Sequence, residues 1–330
     1  MSVVLRGKEG KIAVSDEVRQ RIVQAASELN YRSSRSTRML RAGRTNVIGF
    51  VSTNYMPKTG KVANHLTYPF MVGLNHRLIE DDFHTVLVEL SELEAKSEKL
   101  LPGALRERFF DGLVVHFGLS PRALELIRAC GIPTVYLDSG VVEPERCIHR
   151  DGFKVGQTAA EMLLQLGHRR IAYFMTAGHW HLFTEARHVI DHHSFVSRTE
   201  GYEAALKARG LEPLYLVAQP TPLAMARRMK EEGITAVIFG GGDRVPGPLV
   251  QAMILAGLRM PEDISMLSCD VETRAGATVF EMGGILYDRF LAGYAAAGQI
   301  LRLVHDPRAT VPSQSLPVEG RLGSTIASAP

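Results

Sequence analysis

From Asn46 onward the chain alternates short apolar runs with amphipathic stretches, and this alternation restricts its fold more than any other feature. The runs "NVIGFVS", "FHTVLVEL", "FDGLVVHF" and "PTVYLD" read as strands. Between them, "PFMVGLNHRLIEDD", a stretch from about Leu93 to Leu105, and "PRALELIRAC" read as helices. A second series starts near Cys147, where "DGFKVGQTAAEMLLQLGHRRIAYF" supplies a helix and then a strand. Strands alternating with helices argue for βαβ units on a parallel sheet. Runs such as "GLVVHF" fit strands buried on both faces. The 330 residues suggest roughly two domains with large cores. No repeat with a period of about 20–50 residues is visible, and no low-complexity tract.

The first 45 residues differ in character. They hold ten Lys/Arg and four acidic residues, net +6, whereas the remainder holds 28 basic and 31 acidic residues, net −3. A basic segment on a mildly acidic body points to a polyanion partner at that end. Ser15 is a good N-cap, with Asp16 and Glu17 in the first turn, where the helix dipole favours negative charge. Val18, Ile22, Ala25, Ala26 and Leu29 follow at helical spacing. Arg32, Arg35, Arg38, Arg41 and Arg44 then recur every third residue, with Met39 and Leu40 between them. Arginines neutralise phosphates, and an apolar wedge can part a base step in the minor groove. A solvated basic linker is the alternative.

Several function classes lack their residues. Cys130, Cys147 and Cys269 form no CxxC pair and read as small buried hydrophobes in a reducing compartment. No apolar run approaches the ~20 residues of a membrane helix, and the N-terminus lacks a secretion signature, so a cytoplasmic protein is expected. Neither GxSxG nor a His-Glu metal helix occurs, so no enzyme and no cofactor is expected. "GGGD", ending in Asp243, lacks the Lys-Ser/Thr of a phosphate loop. His179, His181, His188, His192 and His193 cluster around Trp180. The spacing of His188 and His192 could ligate zinc, but no Cys or Glu completes a set. A lid or wall of a ligand cleft is the preferred reading, with no metal.

The segments "VSDEVRQRIVQAASELNYR" and "RSTRMLRAGRTNVIGFV" resemble the end of the headpiece and the hinge of the LacI/GalR family of bacterial repressors. The resemblance continues through "DGFKVGQTAAEMLLQLGHRRIA", "RTEGYEAAL", "ITAVIFGGGD", "MPEDISMLSCD" and "VEGRLGST". It implies an α/β fold of two side-by-side, doubly wound parallel-sheet subdomains, like a periplasmic binding protein, after a short helical DNA-binding remnant. The implied boundaries are 1–45 for headpiece and hinge and 46–330 for an effector-binding body. Within the body, one subdomain spans about 46–164 and 286–310, the other about 165–285 and 311–330.

The resemblance also implies roles. Leu40 would intercalate in the operator minor groove, with Arg35, Arg38 and Arg41 beside it. Ser2, with Val4, Leu5 and Gly7, matches the end of a recognition helix. The helix–turn–helix before it is largely missing from the chain as given, so major-groove reading would need an upstream extension. Asp151, Arg198 and Asp270 match effector-binding positions, Asp243 is a further effector-binding candidate, and carboxylates with a guanidinium suit a hydroxyl-rich ligand. The bland alternative is that Asp151 and Asp270 cap loops and Arg198 pairs with one of them structurally. Phe70 matches an aromatic at the cleft mouth and Tyr68 could join it, with core packing as the alternative. Two departures stand out. Gly242 replaces an Asn that usually precedes the Asp matching Asp243, which argues against a simple hexose. "FEMGGILYDRF" lacks the usual Pro and Thr-Thr, so Tyr287 or Arg289 is expected to line the pocket differently. The implied protein is a homodimeric repressor of operator DNA that responds to a small polar effector such as a sugar and has no membrane partner. A soluble ligand-binding protein without sequence-specific DNA binding is the alternative.

Overall fold

The computed structural model describes residues 15–31, 43–52, 67–90, 103–116, 118, 121–175, 180, 184, 194–217, 221–240, 247–271 and 280–330. It separates into two compact units, Met1–Asn46 and Val47–Pro330. In the first, α1 (Asp16–Glu28) starts as expected: the Ser15 hydroxyl accepts from the Val18 N–H, and Asp16 and Glu17 fill the first turn. Much of its apolar stripe is exposed, including Val18, Ala25 and Leu29. Leu40 and the arginines from Arg32 to Arg41 lie outside the described residues.

The second unit carries two six-stranded sheets. The first has the order β2-β1-β3-β4-β5-β11, built from β1 (Val47–Ser52), β2 (His84–Glu89), β3 (Gly112–His116), β4 (Thr134–Leu137), β5 (Cys147–Arg150) and β11 (Gln314–Leu316). All its pairings are parallel. The second has the order β7-β6-β8-β9-β10-β12, from β6 (Ile171–Met175), β7 (Leu214–Val217), β8 (Ala236–Phe239), β9 (Ser265–Val271), β10 (Gly283–Leu286) and β12 (Glu319–Arg321). Only its edge strand β12 runs antiparallel. Strand for strand the two orders match.

The helices are α2 (Thr67–Glu80), α3 (Gly103–Arg106), α4 (Pro121–Ala129), α5 (Gly152–Gln165), α6 (Ser194–Lys207), α7 (Pro222–Glu231), α8 (Gly247–Leu255) and α9 (Arg289–His305). The stretch expected to be helical from Leu93 lies mostly outside the described residues. Each central strand feeds two cores, as its unbroken apolar sequence requires. Along β1, Ile48 and Phe50 join Leu74, Val114 and Ile300 on one face. Val47 and Val51 join Leu113, Leu124 and Ile127 on the other. In the second sheet, Tyr173 and Ala172 divide in the same way.

The chain passes between the sheets three times. The sequence places the first passage near Leu164, but the sheets exchange at Asp151, because α5 packs on the second sheet. The second lies between Leu286, which ends β10, and α9, which packs on the first sheet. The third, expected near Thr310, lies between Leu316 and Glu319, because β11 still extends the first sheet. The first two share a device: Asp151 caps α5 and Asp288 caps α9, each accepting from the N–H three residues on.

Reciprocal glycine contacts lock one helix pair over each sheet. A Cβ on Gly73 of α2 would overlap the Phe290 carbonyl of α9, and one on Gly293 would overlap that of Phe70. In the other pair, Gly156 of α5 lies on the Arg198 carbonyl of α6, and Gly201 on that of Phe153. Each carbonyl therefore comes from the residue three before the neighbouring glycine. The spacing reads Phe-x-x-Gly three times and Arg-x-x-Gly once. Gly156→Ala must push α6 away from α5. We expect a loss of about 1–3 kcal/mol in urea unfolding, whereas a neutral result would mean that the helices separate freely.

Candidate functional site

Ligands of open α/β sheets bind beyond the carboxyl ends of the strands, at the point where the strand order reverses. In these sheets that point falls between β1 and β3, and between β6 and β8. His116 ends β3, Arg150 ends β5, Asp138 follows β4, Gly240 follows β8, Asp270 lies near the end of β9 and Tyr287 follows β10. Buried polar side chains thus gather at the carboxyl ends of both sheets.

A charge network links the sheets. Arg150 Nη1 donates to Asp270 Oδ1 at 2.6 Å and its Nη2 to Oδ2 at 3.3 Å. The same Nη2 reaches Asp138 Oδ2 at 3.2 Å. Arg289, the first residue of α9, donates to Asp270 Oδ1 at 2.6 Å. All four side chains are buried. Burial opposes ionisation of Arg150, but the charges of Asp138 and Asp270 more than offset it, so its pKa rises. Burial likewise pushes the Asp270 carboxyl up, and Arg150, Arg289 and Arg198 together hold it well below the usual carboxylate range. The Arg150 guanidinium also sits 4.6 Å from the centre of the Tyr287 ring.

His116 lies beside this network, its ring 4.7 Å from that of Phe70 and 5.5 Å from that of Phe50. Burial lowers its pKa to about 4; Asp138 opposes the shift, and Arg289 and Arg150 add to it. The imidazole is therefore neutral at pH 7.

Arg198 stands apart. It is 1 % exposed, and its Nη1 donates to the Gly240 carbonyl at 2.6 Å. Nε and Nη2, equally buried, have no hydrogen-bond partner among the described residues. Burial first, and then the charge of Arg150, lower its pKa. The buried Tyr287 hydroxyl is also unpartnered among the described residues.

The residues singled out in the sequence fall into three groups. Arg198 and Asp270 are buried at the carboxyl ends of the second sheet's strands, and Phe70 is buried against His116 and Tyr287. Asp151 is exposed and caps α5, its carboxylate accepting from the Lys154 N–H at 2.9 Å, while Tyr68 is 65 % exposed. Ser2, Arg35, Arg38, Leu40, Arg41 and Asp243 lie outside the described residues, as do the five clustered histidines. Of the two residues flagged at the departure from the family pattern, Arg289 joins the network and Tyr287 packs beneath it. Sequence reading missed Arg150, Asp138 and His116. A signal for Arg150 was available, since it directly precedes Asp151, which the family pattern marks.

Known proteins with this arrangement are informative. Residues 160–325 match the family model described as a periplasmic binding protein-like domain. Along most of its length the chain is similar to the HTH-type transcriptional regulator GntR of Pseudomonas aeruginosa, with 25% identity over 311 residues, covering 91% of this chain and 84% of that one. The chain belongs to the LacI/GalR family of transcriptional regulators. Solved structures share the LacI/GalR fold. The lac repressor dimer bound to operator and the anti-inducer ONPF superposes with a TM-score of 0.73 at 19% identity, covering 99% of this chain and 94% of that one. The transcriptional regulator CelR–cellobiose complex gives 0.67 at 21% identity, covering 98% and 94%. These LacI/GalR relatives are regulators and not enzymes. Among the described residues, no helix is long and apolar enough to cross a membrane.

Proposed function

We propose that the chain is a homodimeric repressor of operator DNA, controlled by a small polar effector bound at the carboxyl ends of the two sheets. The observation that carries this reading is Arg198, a buried guanidinium whose Nε and Nη2 have no partner among the described residues. A buried donor without a partner costs free energy, which a ligand can recover. Relatives support the chemistry: the CelR structure holds cellobiose, and the lac repressor structure holds operator and a small molecule together. Effector binding would favour one arrangement of the two sheets and so shift a population. In the basic segment, Arg35, Arg38 and Arg41 would neutralise phosphates and Leu40 would enter the minor groove.

Dimerisation has a physical basis in helices apolar on two sides. On α2, Phe70, Leu74 and Leu78 are buried, whereas Tyr68, Val72 and Ile79 are exposed on another face. On α8, Leu249, Ala252 and Met253 are buried, whereas Ile254 and Leu255 are 69 % and 78 % exposed. Exposed apolar faces of this kind mark association surfaces. In sedimentation at micromolar concentration, the full chain should run as a dimer and the Ile254→Asp, Leu255→Asp variant as a monomer. Fluorescence anisotropy with DNA from the gene's own promoter should show binding by the dimer that falls steeply with salt. A monomeric wild-type chain, or DNA binding indifferent to every polar ligand, would overturn this reading.

A further inference from the structure

The buried charges at the cleft do not cancel. Arg150, Arg198 and Arg289 are each at most 4 % exposed, and among the described residues the buried carboxylates facing them are Asp138 and Asp270. His116 is neutral at pH 7 and contributes no charge. The described cleft therefore carries an excess of one positive charge, and buried charges in proteins are normally paired.

Geometry assigns that excess to one residue. Arg150 and Arg289 are committed to Asp270, and Arg150 also to Asp138. Arg198 forms none of these ion pairs; its Nη1 is held by the Gly240 carbonyl. Among the described residues its Nε and Nη2 remain open, and these two N–H groups point the same way along one edge of the guanidinium. Two parallel donors match the two oxygens of a carboxylate.

Asp270 points to the same ligand class. Its Oδ1 accepts from two arginines and its Oδ2 from one, so its strongest acceptor capacity is already spent inside the protein. A neutral sugar held through carboxylate–hydroxyl bonds would have to compete with two guanidinium groups for that oxygen. An acid brings its own acceptor and meets an unused donor pair. The glycine contact holds the backbone from which this pair projects, since Gly156 lies on the main-chain carbonyl of Arg198 itself.

We propose that the effector is a small hydroxylated carboxylic acid whose carboxylate is received by the Nε–Nη2 edge of Arg198. This rests on the reading that the cleft binds an effector at all, and the test separates the two. The full chain is titrated calorimetrically with matched pairs that differ by the acid group: glucuronate and glucose, galacturonate and galactose, ribonate and ribose. Inorganic phosphate and acetate are run beside them. At least one hydroxylated acid should bind ten-fold or more tightly than its neutral partner, and Arg198→Gln should abolish the difference. Circular dichroism and thermal unfolding of the variant without ligand establish that it is folded. Arg198→Lys, which keeps charge but loses the fork, should recover only part of the preference. Tight binding of a neutral sugar, lost in Arg198→Gln, would overturn the acid while sparing the cleft. Acid binding unchanged in Arg198→Gln would overturn the role of Arg198. Binding of phosphate in preference to every carboxylate would overturn the planar-acid assignment, and binding of none would remove both readings.

Discussion

Asp270→Asn should cost the body about 3–5 kcal/mol. The change is nearly isosteric, so no cavity forms and the effect is one of charge. In the native chain Asp270 Oδ1 accepts from both Arg150 and Arg289. Removing the carboxylate leaves Arg289 without its partner and Arg150 with Asp138 alone, and both guanidiniums remain buried. Truncating one partner of a buried pair is far worse than never having had the pair, because the survivor keeps its desolvation cost. Arg150→Met should be milder, since Asp270 keeps Arg289 and the aliphatic replacement packs against the Tyr287 ring. Asp270 lies on the second sheet and Arg150 on the first, so the loss should also weaken cooperation between the halves. Urea unfolding at pH 7 should show a lower midpoint for Asp270→Asn and two separable transitions. A loss below about 1 kcal/mol, or one equal to that of Arg150→Met, would mean that water reaches the guanidiniums.

How far the sequence reveals this arrangement depends on the length and periodicity of each element. Strands such as "VIGFVS" and "GLVVH" are continuous apolar runs and are recognisable because both faces are buried. The strand "CIHR" is not, being four residues long with two polar side chains. Yet it delivers Arg150 to the centre of the network, and missing it moved the first passage between sheets from Asp151 to Leu164. The two neighbours at that passage divide the labour. Arg150 turns inward to Asp270, and Asp151 stays outside to cap α5. Resemblance drew attention to Asp151 because the residue type matches, but it carries no information about which of two adjacent side chains faces the cleft. Tyr287 and Arg289 were flagged for the opposite reason, because they depart from the pattern, and both are buried at the network. The matched topology of the halves left a trace in the four x-x-Gly motifs at the two helix crossings, too sparse to register as a repeat. Asp138 and His116 gave no signal, because their role depends on a sheet order that local sequence does not encode.

His116 makes the stability of the body sensitive to mild acid. Its imidazole is fully buried, and in the fold its pKa falls from an ordinary 6.5 to about 4. Above pH 6.5 it is neutral in both folded and unfolded chains, so stability does not change with its titration. Between pH 6.5 and 4 the unfolded chain takes up a proton that the native chain refuses, so stability falls as the pH falls. Below pH 4 both states are protonated and this contribution stops changing. Over the whole window the loss is about 3 kcal/mol. Burial is the main cause of the shift; Asp138 opposes it, and Arg289 and Arg150 add smaller contributions in the same direction as burial. Asp270 titrates in the same direction but in a separate window, since its depressed pKa places its own loss below about pH 4. His116→Phe keeps a ring between Phe50 and Phe70 and removes the proton site. Urea unfolding at pH 7.5 and pH 4.5 should therefore show a smaller loss of stability in the variant than in the wild type, by roughly 2–3 kcal/mol. Equal losses would place the wild-type imidazole in contact with solvent or with an acidic partner, and would remove it from the neutral groups of the cleft.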